Sequence, residues 1–139
     1  MVNMKKVLAF GTFDILHKGH VYFLKKARDF GELTLVVARD KTVKQLKKRM
    51  PINNEKKRMK NVKKLNIANI VILGYIRNKY KVIQKIKPDI ICLGYDQKHF
   101  VSGLRKELKR LKLKTKIIRL RPYKPKAYKS SILRKIFKN

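Results

Sequence analysis

The chain has 139 residues, 44% of them hydrophobic, and sets 39 Lys and Arg against 8 Asp and Glu, a formal net charge of +31. That length suits one domain spanning 1–139, and no apolar run approaches the roughly 18 residues needed to cross a bilayer. The first residues lead straight into a strand-like run without a cleavable leader, and the single cysteine, Cys92, excludes an internal disulfide, so a soluble cytoplasmic protein is expected.

Residues 5–10 form a short apolar run ended by Gly11, which reads as a buried strand. Over 19–30, Val21, Phe23, Leu24, Ala27 and Phe30 recur at helical spacing, and Gly31 stops the helix. Residues 33–38 are apolar and β-branched, a second strand. The basic stretch 40–48 reads as a short helix or a loop, broken at Pro51. Asn53 or Asn54 can cap a helix reaching Leu65. Residues 70–73 read as a strand closed by Gly74, and 80–86 as a helix ended by Pro88. A buried strand at 90–93 is followed by Gly94, a helix at 101–111, a strand at 116–120 and a last short helix at 130–137. The run 121–129, with two prolines, is expected to be a loop crossing a cleft.

Strands and helices therefore alternate, and the strands are continuously apolar, as buried parallel strands are. This predicts an α/β fold: a single Rossmann-like, doubly wound domain with a parallel sheet of about five strands. In such sheets ligands bind beyond the carboxyl ends of the strands. The segments after Gly11, Asp40, Gly74, Gly94 and Arg121 should line one cleft.

Charge and carboxylates narrow the chemistry. Basic residues occupy nearly every exposed-looking position, with no basic tail set apart, and the usage of Lys, Ile and Asn matches A/T-rich codons. Nucleic acid is therefore not expected as the main partner; a general attraction for polyanions such as ATP is. The eight carboxylates are too dispersed for a glycosidase pair, a dense metal cluster or a calcium loop. Chemistry that stabilises negative charge is favoured. Cys92, within an apolar run, reads as a buried, inert thiol.

The informative segment runs from Gly11 through Thr12, Phe13, Asp14, Ile15, Leu16, His17, Lys18 and Gly19 to His20, between the first strand and the first helix. It lacks the glycine spacing of a dinucleotide fingerprint. It has a glycine turn, a helix start with free amides, and two histidines three residues apart that can face one anion. Gly19 between them leaves room for a phosphate. Zinc would need a third ligand, and neither His99 nor Cys92 is placed to supply it, so no protein-bound metal is expected.

This segment resembles the G-T-F-D-x-x-H-x-G-H signature of the cytidylyltransferase-like nucleotidyltransferases, and the resemblance extends over nearly the whole chain. Cytidylyltransferases of that group show G-D-D after the fourth strand, where this chain has Gly94-Tyr95-Asp96-Gln97. That difference, with 38–44 and Tyr123, is similar to the archaeal-type FMN adenylyltransferases. The resemblance implies that Thr12, Phe13, His17, Lys18, Gly19, His20, Asp96 and Tyr123 contact ATP. It implies a triphosphate role for Ser130 and Ser131 at the start of the last helix, and for Arg58. A phosphate-binding lysine would be Lys44 or Lys47. The implied reaction is ATP plus FMN giving FAD and pyrophosphate, with His17, His20, Lys44, Arg58 and Ser131 as the catalytic set. Mg²⁺ would ride on the triphosphate; Asp14 would either touch its shell or stabilise the glycine turn. Because the family is commonly dimeric, a homodimer is compatible. A CTP-dependent enzyme acting on glycerol 3-phosphate, and a basic nucleic-acid module on an inactive fold, are the alternatives.

Overall fold

The computed structural model describes residues 4–95, 97 and 101–123. The helix expected over 130–137 lies outside them, as do Asp96, His99, Ser130 and Ser131. Five strands, β1 (Lys6–Gly11), β2 (Glu32–Val37), β3 (Ile70–Leu73), β4 (Ile90–Leu93) and β5 (Lys116–Arg119), form one parallel sheet in the order β3-β2-β1-β4-β5. The connecting helices are α1 (Lys18–Asp29), α2 (Asp40–Lys47), α3 (Glu55–Lys64), α4 (Lys81–Ile86) and α5 (Val101–Arg110).

The apolar runs are continuous because both faces of the sheet are buried. On one face Val7 and Ala9 of β1 and Leu35 of β2 pack with Leu24 and Ala27 of α1 and Val62 of α3. On the other, Leu8 and Phe10 of β1 and Ile91 and Leu93 of β4 pack with Val82 and Ile83 of α4 and Leu104 and Leu108 of α5. Each large side chain removed from water here contributes about 1.5–3 kcal/mol. Cys92 belongs to the first cluster, and burial pushes its thiol up to about 12, which keeps it protonated and unreactive at neutral pH.

The punctuation follows the sequence. Asn54 is the N-cap of α3, its side chain accepting a hydrogen bond from the Lys57 amide. The stretch 40–48, open between helix and loop on sequence grounds, is helical and ends with Lys48 in the left-handed region at φ 60°. A Cβ on Gly31 would lie 2.2 Å from the Lys5 carbonyl oxygen, so only glycine lets the chain turn from α1 into β2. Since every strand is parallel, all carboxyl ends share one edge. The order reverses between β1 and β4, the point at which sheets of this topology form their ligand crevice.

Candidate active site

At the mouth of that crevice β1 passes into α1 through the glycine turn. Phe13 sits at φ 54° with its ring folded back: a Cβ on Gly11 would come within 2.4 Å of that ring. The ring is buried in the core beneath α1, and it lies 5.4 Å from the His20 ring. Glycine at position 11 thus makes room for Phe13, and Phe13 supports a histidine.

His17 is the N-cap of α1 and His20 its third residue, and the two close a reciprocal capping box. His17 Nδ1 accepts from the Gly19 amide at 3.0 Å; His20 Nδ1 accepts from the His17 amide at 3.3 Å. The sequence suggested that free amides at this helix start would receive an anion. Two of those amides are instead taken up by the imidazoles, which changes the chemistry offered. With Nδ1 acting as acceptor, a neutral ring carries its proton on Nε2 and donates from there. Neutrality is enforced: burial, then the charges of His17 and Lys47, depress His20 to about 3, and burial lowers His17 as well. The positive end of the α1 dipole disfavours an imidazolium in the same way. The ring centroids are 4.0 Å apart, so two Nε2–H donors stand side by side.

The turn is anchored from beneath. Asp14 is buried, and its carboxylate accepts from the amides of Ile52 and Asn53, both at 2.8 Å, while Asn53 Nδ2 donates to the Asp14 carbonyl. Of the two roles open for Asp14, the structure places it in the structural one. Arg58 is wholly buried; it donates to the carbonyls of Thr12 at 2.8 Å and Asn53 at 3.0 Å, and to Asp40 at 2.7 Å. The direct phosphate contact expected of Arg58 does not describe this placement, because its guanidinium is committed to three protein oxygens. Thr12 likewise enters through its carbonyl.

Asp40 and Glu55, the first residues of α2 and α3, cap each other: each carboxylate accepts the other's amide, at 3.2 and 2.9 Å. Glu55 also pairs with Arg39, which donates to the Gly74 carbonyl after β3. One chain of ionic hydrogen bonds therefore joins the ends of β1, β2 and β3. Nothing in the local sequence distinguishes these residues, since the bonds link positions 15 to 46 apart.

Of the two candidate lysines, both exposed, Lys47 is the one whose charge acts on His20, and Lys44 lies three residues earlier on α2. Lys18 is exposed beside His17. Tyr123, in the segment after β5, stacks on Tyr22 of α1 with ring centroids 5.2 Å apart, a partner sequence reasoning missed. No group of three or more metal-ligating side chains occurs among the described residues.

Comparison with known proteins adds independent constraints. Residues 8–136 match the family model described as cytidylyltransferase-like. The chain is 46% identical over 121 residues to a FAD synthase of Aciduliprofundum boonei, covering 86% of this chain and 80% of that protein. It is 43% identical over 135 residues to a FAD synthase of Methanothermus fervidus, covering 93% and 92%. Among solved structures, a Thermoplasma volcanium protein described as a lipopolysaccharide core biosynthesis protein superimposes with a TM-score of 0.80 at 39% identity, covering 87% of this chain and 99% of the other.

Proposed function

The chain belongs to the cytidylyltransferase-like family, and on that footing we propose that it transfers the AMP moiety of ATP to FMN, giving FAD and pyrophosphate. The family membership sets the reaction class, and the FAD synthases at 40–46% identity support the choice of substrates. The observation that carries the mechanism is the histidine pair, whose Nδ1 atoms are occupied by backbone amides and whose Nε2–H groups are thereby fixed as donors.

An oxygen of the FMN phosphate attacks the α-phosphorus of ATP in line, the bond from that phosphorus to the β-bridging oxygen breaks, and pyrophosphate leaves with the electron pair. A phosphate monoester with a second pKa near ~6 is mostly dianionic at neutral pH, so no general base is needed. The protein's work is positioning and charge stabilisation. His17 and His20 donate to phosphate oxygens without adding charge, and Lys47 supplies the cation. Arg58 and Asp14 act through the turn they hold, not on the substrate. The ATP contacts proposed for Phe13, Lys18, Gly19, Asp96 and Tyr123, and the triphosphate roles of Ser130 and Ser131, rest on the family resemblance.

Asp14, Asp40, Glu55, Asp89 and Glu107 already accept hydrogen bonds within the protein. This donor set fits a divalent cation carried by the triphosphate and water, with little protein ligation. Bound there, Mg²⁺ would neutralise phosphate charge. The proposal places the enzyme in the cytoplasm with its substrates and is compatible with a homodimer. Purified protein incubated with ATP and FMN should release pyrophosphate and form FAD; release with CTP and glycerol 3-phosphate instead would replace this reading.

A further inference from the structure

The other wall of the crevice is built by a device that the reaction described above does not use. The β1–β4 register pairs Ala9 with Cys92. On β1 the Gly11 carbonyl faces β2, where it accepts from the Ala38 amide, so by alternation the Phe10 carbonyl faces β4. The next rung of the ladder would join that carbonyl to the Gly94 amide. Instead a side chain stands between them. Gln97 Nε2 donates to the Phe10 carbonyl at 2.7 Å, and Gln97 Oε1 accepts from the Gly94 amide at 2.7 Å. A primary amide has one donor edge and one acceptor edge, so it can replace a missing backbone rung while spreading the strands by its own width.

A second clamp holds the same loop. Arg119, at the end of β5 opposite Leu93, directs Nη1 to the carbonyls of Gly94 at 2.8 Å, Gln97 at 3.2 Å and Tyr95 at 3.3 Å. Its Nη1 is thereby engaged by three backbone oxygens. The crevice consequently has two unlike walls. The wall after β1 offers imidazole donors and Lys47, suited to polyphosphate. The wall after β4 is pinned, with its one described cation turned onto carbonyls, suited to the uncharged part of a nucleotide.

We propose that Gln97 is a positioning residue: its side-chain amide wedges β1 from β4 at the point where the strand order reverses and, with Arg119, sets the backbone of Gly94, Tyr95 and Gln97 to receive the nucleoside of the bound nucleotide. This deepens the adenylyltransferase reading and depends on it only for the nucleotide's identity. Removing the wedge lets the rung close or the loop drift; neither outcome touches the histidines.

The test is ATP binding by calorimetry, without acceptor, on wild type, Gln97→Ala, Gln97→Glu and Arg119→Lys, together with steady-state kinetics. Loss of one or two such hydrogen bonds should weaken ATP binding about tenfold. KM for ATP should rise in parallel, preference for ATP over GTP and CTP should narrow, and KM for FMN should stay constant. Glutamate keeps the acceptor but faces the Phe10 carbonyl with a carboxylate, so Gln97→Glu should regain affinity as pH falls and the carboxyl becomes a donor. Lysine at 119 presents a point charge that cannot match the guanidinium's reach; this variant decides the matter if Gln97→Ala does not fold. Unchanged ATP affinity, or equal weakening toward ATP and FMN, overturns the proposal. A wild type that binds ATP but makes no FAD would sink the adenylyltransferase reading and leave the wedge standing.

Discussion

The loops that follow β1 and β4 flank the same crevice and solve the same problem differently. After β1, the groups proposed to act are side chains, and each is locked: the histidines cap their own helix, and Asp14 and Arg58 tie the turn to segments about 40 residues away. After β4, the side chains of Gln97 and Arg119 bind main-chain groups and so hold the backbone of the loop. Catalytic donors need fixed orientation and tuned protonation, which side chains in a buried network provide. Shape recognition needs a fixed main chain. The two loops separate these requirements, and substitutions can test the division.

The largest effect should come from Arg58→Ala, which removes a buried cation from the partly exposed Asp40 and the donor from two carbonyls. Breaking a buried ion pair by removing one partner costs about 3–5 kcal/mol, so the urea midpoint should fall sharply and activity should fall with it. A variant of near wild-type stability would show that the β1 loop is not anchored as described. His20→Ala should lower kcat by about 10²–10³, the cost of removing one preformed donor to a developing charge, with the melting temperature little changed. His17→Ala should do the same and lose about 1 kcal/mol of helix capping as well. Lys47→Ala should raise KM for ATP by about tenfold, in line with one charge-assisted contact, and Lys44→Ala by much less; the reverse order would move the cation one turn along α2.

The effect that vanishes at neutral pH is the dependence of stability on protonation. His20 has a folded pKa of about 3 against an ordinary 6.5, so the unfolded chain binds a proton that the folded chain refuses. Its contribution to stability is complete above pH 6.5 and is lost progressively as pH falls toward 3. His20→Gln should flatten that part of the stability curve. Between pH 6.5 and 8 His20 stays neutral, so the acid limb of kcat should not report its titration and should follow the acceptor phosphate, near ~6.

The sequence was readable wherever the determinant was local. Continuous apolar runs announced buried parallel strands, Asn53 or Asn54 announced a helix cap, and Gly11 to His20 announced the turn between β1 and α1. What the histidines do to the helix start was also in the spacing, since Nδ1 capping requires only positions i and i+3, but the free-amide reading obscured it. The rest was not readable because its partners are distant. Arg58 stands among 39 basic residues, and only the fold reveals it as the buried one. Gln97 and Arg119 carry no motif; their role exists because β1, β4 and β5 lie side by side. Lys44 and Lys47 differ by less than one helical turn, and only the fold shows that the charge of Lys47 reaches His20.

The central claim is that His17 and His20 are neutral, carry their protons on Nε2, and present those protons to phosphate. Nitrogen-15 spectra of the imidazoles at pH 7, recorded before and after adding ATP without acceptor, test it directly. The account predicts the Nε2–H tautomer for both rings and a shift of both Nε2 signals on binding. An imidazolium, an Nδ1–H tautomer, or signals indifferent to ATP would contradict it.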